Sequence, residues 1–316
     1  WNSKVCDIIP EFRLYNPYVT EDFTIRDMLT HRSGLGLGAG DLMLWPGPTD
    51  FTRKDVIYNL RFLKQVSDFR TKYDYDNLMY IVAGEVVQRV SGMTWEDFVK
   101  TRIMDPLGMT SSAPSFDLLK DRSDVIDPHV PVNGKLVVVE RHEVAMSNSA
   151  GGIYSNINDL SKWVMMQLND GRYGENLSKT IISEKTHREM WSPQTIIQVY
   201  GPGPYNTHFR SYGLGFVLND ANGYLEVSHT GSLSGMVTQI VMIPELKLGI
   251  IVLTNQQCGE AFLCITNAIL DGYFGKKGID RVKEYHDSYL RNLAEAKAET
   301  DKVAGELEAQ QNNAQS

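Results

Sequence analysis

Between residues 77 and 90 the apolar side chains Leu78, Ile81, Val82, Val86 and Val90 recur at mostly three- and four-residue steps, which predicts a helix with one buried face, closed by Ser91-Gly92. Thr24-Ile25-Arg26-Asp27 reads as a capping box that opens a short helix towards His31, ended by Ser33-Gly34. Thr94-Trp95-Glu96-Asp97 opens another that runs to about Met104, and Pro106-Leu107-Gly108-Met109-Thr110 is expected to be a turn that cannot continue it. Residues 157–168 and 180–190 carry two further helical patterns.

After about residue 210 the period changes. Residues 212–218, 224–229, 236–243 and 248–253 are runs rich in β-branched and aromatic side chains. Asn219-Asp220-Ala221-Asn222-Gly223 and Pro244-Glu245-Leu246-Lys247 are the expected turns between the first and last pairs, so the simplest reading is an antiparallel meander. Residues 258–274 are apolar enough for a helix lying on that sheet. From Ile279 an amphipathic pattern (Ile279, Val282, Tyr285, Tyr289, Leu293, Ala296) drifts into Glu/Ala/Lys/Gln-rich sequence, a helical spacer expected to fray by Ala309. No internal repeat is visible.

Composition narrows the function. The 316 residues are 42% hydrophobic, enough for a substantial core. A net charge of -8 with no Lys/Arg block excludes a nucleic-acid footprint. The longest apolar runs, 236–243 and 248–253, are far below the roughly 20 residues that cross a bilayer, so no membrane span is expected. Trp1-Asn2-Ser3-Lys4-Val5 shows neither an initiator Met nor a signal-peptide pattern and reads as the cut end of a longer chain. The three cysteines, Cys6, Cys258 and Cys264, fit neither a disulfide framework nor a metal site and are expected as core thiols.

Candidate chemistry is sparse. Gly34-Leu35-Gly36-Leu37-Gly38-Ala39-Gly40 follows a helix and lacks a Gly-Lys-Ser/Thr ending, so it is not read as a phosphate cradle. Tyr75-Asp76-Asn77 precedes a helix: a tyrosine there acts as a general base only if cations lower its pKa, and the Asn77 amide can bond a carbonyl or an ammonium. The plainer reading is a core phenol and an N-cap. Tyr154-Ser155-Asn156 repeats the pattern, with Asn156 as a helix cap. His229-Thr230-Gly231, followed by Ser232-Leu233-Ser234-Gly235, ends a strand: Gly231 lets a substrate backbone approach, and His229 is expected to project a donor into the same groove. A half-buried histidine before a hairpin is the alternative. The seven histidines show no zinc spacing, and no cofactor or metal is indicated. No Gly-x-Ser-x-Gly elbow occurs, and no lysine has a serine three residues before it.

Taken in order, Phe23-Thr24-Ile25-Arg26-Asp27-Met28-Leu29-Thr30-His31-Arg32-Ser33-Gly34-Leu35, Tyr75-Asp76-Asn77, Pro106-Leu107-Gly108-Met109, Ser149-Ala150-Gly151-Gly152, Tyr212-Gly213-Leu214-Gly215, His229-Thr230-Gly231 and Leu253-Thr254-Asn255 resemble the β-lactamase-related serine hydrolases. That family includes class C β-lactamases, penicillin-binding proteins, D-aminopeptidases and esterases, and the likeness covers nearly all of residues 1–275.

The resemblance implies an α+β fold in which a mostly helical region (1–200) adjoins antiparallel strands with a packing helix (201–278). Residues 279–316 would form a charged spacer towards a further domain. It also implies acyl-enzyme hydrolysis of an amide or ester by a serine in a Ser-x-x-Lys helix upstream of Val5, missing here together with two strands. Tyr75, Asn77 and His229 would then be catalytic, and Thr230, Gly231 and Ser232 would hold substrate and oxyanion, with this chain alone inert. His229 standing where class C enzymes have lysine favours a peptidase or esterase over a β-lactamase. The alternative is a non-catalytic protein that binds peptide or peptidoglycan in the same groove. Relatives imply export to the periplasm or the exterior, a small-molecule or peptide acyl substrate and no nucleic-acid partner; the oligomeric state stays open.

Overall fold

The computed structural model describes residues 1–47 and 49–314. The chain divides into two compact units, Trp1–Gln257 and Cys258–Ser316.

The first unit opens with helices α1 (Val5–Ile8), α2 (Pro17–Asp22), α3 (Ile25–Leu29), α4 (Arg53–Asn59) and α5 (Asn77–Ser91). The capping box expected at Thr24 is in place: in α3 Thr24 accepts from the Asp27 N–H and the Asp27 carboxylate accepts from Thr24 N–H; in α4 Thr52 and Asp55 form a second, not singled out from the sequence. Helix α5 ends as the pattern predicts, with Gly92 in the left-handed conformation at φ 71°. Its apolar stripe, Leu78, Ile81 and Val82, meets Val5, Ile9, Phe12, Met28 and Ile57 in one fully buried core.

Helix α6 (Trp95–Val99) runs through a π-helical turn (Lys100–Met104) directly into α7 (Asp105–Leu107), and Gly108 closes it at φ 68°. Pro106 therefore sits inside the helical run rather than in a turn after it. The widened turn just before it changes the hydrogen-bond register, where a proline nitrogen has no hydrogen to lose. Helix α8 is Asn148–Gly151, α9 is Ile157–Leu168 with Asn156 accepting from the Asp159 N–H at 3.0 Å, and α10 is Glu184–Met190, beginning later than its pattern suggested.

Two small antiparallel pairs, β1 (His129–Val132) with β2 (Lys135–Val138) and β3 (Arg172–Tyr173) with β4 (Lys179–Thr180), precede the main sheet. That sheet contains β5 (Thr195–Ile197), β6 (Arg210–Tyr212), β7 (Val217–Ala221), β8 (Tyr224–Leu233), β9 (Met236–Ile243) and β10 (Leu248–Leu253), in the spatial order β10-β9-β8-β7-β6-β5. Every neighbouring pair is antiparallel, which is the expected meander.

The strand bounds differ from expectation in three places. The run 212–218 is split, because Gly213 N–H turns back to the Phe216 carbonyl and separates β6 from β7. The β7–β8 turn is only Asn222-Gly223, at φ 53° and 86°, the left-handed pair that matches the twist of two-residue hairpins. Strand β8 continues through Gly231 and Ser232 to Leu233, with its turn at Ser234-Gly235. Helix α9 packs Val164 and Leu168 against Phe216, Leu218, Val227 and Met242 on one sheet face. A Cβ at Gly249 would lie 2.4 Å from Val164, so the close approach needs glycine.

The second unit consists of α11 (Gly259–Tyr273) and α12 (Arg281–Ala314). Buried Arg281 binds the Asp271 carboxylate through Nε at 2.7 Å and Nη2 at 2.9 Å and joins the two helices. Helix α12 holds to Ala314, beyond the point where fraying was expected. Cys6, Cys258 and Cys264 are unpaired and half-buried rather than deep core thiols. Among the described residues no helix is long and apolar enough to cross a membrane.

Candidate active site

Asp76, not Asn77, caps α5: its backbone is extended, and its carboxylate accepts the Leu78 N–H at 2.8 Å. The carboxyl is fully buried, and burial first, then the nearby Asp41, pushes its pKa up to about 7. Tyr75 is tied to the glycine loop through its carbonyl, which accepts the Gly38 N–H at 2.8 Å. Asn77 is the first helical residue, and its amide nitrogen lies 3.4 and 3.3 Å from the two carboxylate oxygens of Asp41. Burial raises the Asp41 carboxyl, and the Asn77 hydrogen bond partly offsets it.

His31, buried and at φ 52°, stands behind this tripeptide. The rings of Tyr75, Tyr80, Tyr212 and Tyr73 lie 4.5, 5.1, 4.8 and 5.7 Å from it. Its Nδ1 accepts the Asp76 N–H at 3.1 Å, so the proton of the neutral ring is on Nε2. Burial first, then the charge of His229, pushes its pKa down to about 3. It is a neutral support for Tyr75. The phenol of Tyr75 is itself held above its ordinary value by burial and by the charges of Asp41 and Asp76, the opposite of what a base requires. A cation brought to this position would reverse that.

The second motif lies on β8. His229 and Gly231 are opposite Ile240 and Thr238 on β9, while Thr230 and Ser232 alternate with them, opposite Gln239 and Val237. Pairing with β7 stops at Ser228, whereas pairing with β9 continues to Leu233. Residues 229–233 therefore present a backbone edge that no described strand covers. Beside it is a cavity of about 180 Å³ whose walls include Trp163, Phe216, His229, Gly231, Ile240 and Met242.

The rings of Tyr75 and His229 are 6.3 Å apart, so the two motifs meet although they come from opposite halves of the chain. The His229 ring does not aim a donor into the groove as expected. Its Nδ1 is 2.6 Å from its neighbour's carbonyl, Thr230 O, and its Nε2 is 2.9 Å from the Tyr212 hydroxyl. Burial holds the His229 pKa below its ordinary value, the Thr230 carbonyl opposing. Asp41, Tyr80 and Tyr212 belong to this site and were not singled out for chemistry from the sequence.

A sequence model of the Beta-lactamase family matches residues 1–270. The chain belongs to the beta-lactamase family.

Relatives in that family include the unguisins hydrolase ungD of Aspergillus violaceofuscus, 29% identical over 89% of this chain and 52% of that protein. Beta-lactamase-like protein 2 of Dictyostelium discoideum is 28% identical over 79% of this chain and 43% of its own length. The chain thus spans about half the length of the curated relatives it matches first. Among solved structures, an octameric penicillin-binding protein homologue from Pyrococcus abyssi superposes with a TM-score of 0.70 at 25% identity, covering 87% of this chain and 60% of that one. The D-amino acid amidase of Ochrobactrum anthropi SV3 shares the fold, with a TM-score of 0.62 at 22% identity over 80% of this chain and 68% of that one. The beta-lactamase-family fold, an antiparallel sheet with helices in an α+β arrangement, is therefore the one read from the sequence, and the family is one of hydrolases.

Proposed function

We propose that this chain forms the substrate groove of a serine hydrolase that cleaves amide or ester bonds through an acyl-enzyme, peptidase- or esterase-like rather than a true β-lactamase. The observation that carries the reading is the open strand edge at residues 229–233, lying beside Tyr75 in a hydrolase family.

Each residue has a role that its surroundings support. A substrate strand laid along the edge adds to the sheet at Thr230, beside Gly231 with its lack of a side chain, and the backbone N–H of Ser232 donates to the oxyanion. Asn77 orients the substrate amide, with its own nitrogen held by Asp41. Tyr75 accepts the nucleophile's proton once a lysine ammonium next to it lowers its pKa. The serine and that lysine are supplied by a segment outside these residues, and this chain alone is inert. Similarity to an unguisins hydrolase and to a D-amino acid amidase makes D-amino acid amides the first substrates to try. Export from the cytosol belongs to the same proposal.

The test is acylation of the longer protein by a fluorophosphonate probe and by a fluorescent penicillin. Labelling by the first with weak labelling by the second is expected. Labelling by neither, with peptide retained in the groove, would establish the non-catalytic binder instead.

A further inference from the structure

We propose that Tyr212 is a positioning residue that holds His229 as its Nδ1–H tautomer, making that end of the groove a neutral wall that accepts acyl substrates with a blocked carboxyl end, amide or ester, over free carboxylates. The substrate half rests on the function proposed above; the tautomer half does not.

The tautomer follows from what each neighbour can donate. A backbone carbonyl only accepts, so the 2.6 Å approach of His229 Nδ1 to Thr230 O requires the proton on Nδ1. In the neutral ring Nε2 is then a lone pair, and the group 2.9 Å from it, the Tyr212 hydroxyl, must donate. The Tyr80 hydroxyl, which also lies against Tyr212, directs its own proton to Leu29 O at 2.8 Å. It offers Tyr212 only a phenol oxygen, a weaker acceptor than an imidazole nitrogen.

Tyr212 is in a position to enforce this arrangement. It is 1% exposed, its ring lies between His31 and Tyr73, and its strand is held by Val217 on one side and Thr195 on the other. Thr195 is anchored in turn by a hydrogen bond from its hydroxyl to Thr30 O at 2.8 Å. With both nitrogens of His229 directed at protein atoms, the groove meets only ring carbons, beside Trp163, Phe216, Ile240 and Met242. Among the described residues no wall residue is a cation. A carboxylate set against this wall would lose water and gain no charged partner from the residues that line it; an amide or ester would not carry that penalty.

The experiment is a long-range proton–nitrogen correlation spectrum of this chain labelled with ¹⁵N-histidine, His229 being assigned by the cross-peaks lost in His229→Gln. The expected result is a protonated Nδ1 and a bare Nε2 in the parent chain, and mixed tautomers in Tyr212→Phe, which keeps the ring packing. A protonated Nε2 in the parent, or an unchanged pattern in Y212F, overturns the tautomer half. If Y212F does not fold, the parent spectrum still decides. In the longer protein, Y212F frees the imidazole to turn an N–H towards substrate, and the rate preference for a D-amino-acid amide over a dipeptide with a free carboxylate should fall about tenfold. An unchanged preference despite altered tautomers overturns the substrate half. Absence of hydrolysis in the parent defeats the proposed function and the substrate half together, and leaves the tautomer result standing.

Discussion

The side-chain amide of Asn77 faces the carboxylate of Asp41, with its nitrogen 3.3 Å from Oδ2. An ionised carboxylate only accepts, so this contact settles which end of the amide is which: the nitrogen is held and the carbonyl oxygen is left for an incoming N–H or ammonium. In Asp41→Asn the partner can donate as well as accept, and the amide loses its fixed direction. On the proposed function, a longer protein carrying D41N should be acylated by the fluorophosphonate about tenfold more slowly with little change in melting temperature. Equal labelling rates would remove Asp41 from the site.

Gly231 is required by a contact rather than by its backbone angle. A Cβ there would come within 2.7 Å of Thr238 Oγ1 on the neighbouring strand. Gly231→Ala should therefore destabilise by about 1–3 kcal/mol, the usual range for an overpacked position. Removing the hydroxyl as well, in G231A/T238A, should recover most of that in thermal unfolding. No recovery would mean that the glycine serves something other than the space beside Thr238.

Asp76 and His31 are adjacent, both buried, and displaced in opposite directions. With the Asp76 carboxyl at about 7 against an ordinary 3.8, the folded chain binds the extra proton in that interval and stability falls as pH rises. With His31 at about 3 against 6.5, the unfolded chain binds the extra proton and stability rises with pH. Over the shared window, roughly pH 4 to 6.5, the two slopes cancel. Asp76→Asn keeps the cap, since an amide oxygen also accepts the Leu78 N–H, but removes one slope. The stability of D76N relative to the parent should rise with pH across that window by up to about 1.4 kcal/mol per unit. Urea unfolding at a series of pH values gives the answer; a difference independent of pH contradicts the titration of Asp76 in this range.

The fully buried Asp27 carboxylate holds Arg32 Nε at 2.6 Å and Arg70 through Nε at 2.9 Å and Nη2 at 2.7 Å, besides accepting the Thr24 N–H. Burial raises its pKa, but hydrogen bonds from Arg70 and Thr24 and the Arg32 charge outweigh it, so the net direction is down. Its contribution is present above the ordinary carboxyl value and is lost as pH falls through the lower folded one. Asp27→Asn leaves Arg32 without its charge partner and Arg70 with Asp22 alone, and should cost about 3 kcal/mol in urea unfolding near neutral pH. A loss below roughly 1 kcal/mol would class it with exposed ion pairs.

How much of this was legible in the sequence depends on how local each signal is. The capping box at Thr24, the stripe from Leu78 to Val82 and the cap at Asn156 are set within one or two turns and were read directly. The hairpin of β1 and β2 was not, because its residues are exposed or half-exposed throughout and carry no buried face to reveal a period. The split between β6 and β7 was hidden by Leu214 and Phe216, which are buried in a turn and look like strand residues. In the site, Tyr75, Asn77 and His229 stood out by residue type and order. Asp41 and Tyr212 could not, since each acquires its meaning only from a partner brought by the fold: Asn77 for the one, His229 for the other. The direction of the His229 nitrogens was misread for the same reason.

The meander has a kinetic corollary. Among the described strands, each from β5 to β10 pairs only with its neighbours in sequence, so the sheet can zip up through short loop closures of small entropic cost. The approach of Tyr75 to His229 instead closes a loop through about half of the chain. Amide protons along β8 and β9 should thus gain exchange protection early in refolding, with those around Tyr75 following. The groove is then the last thing this chain learns to make.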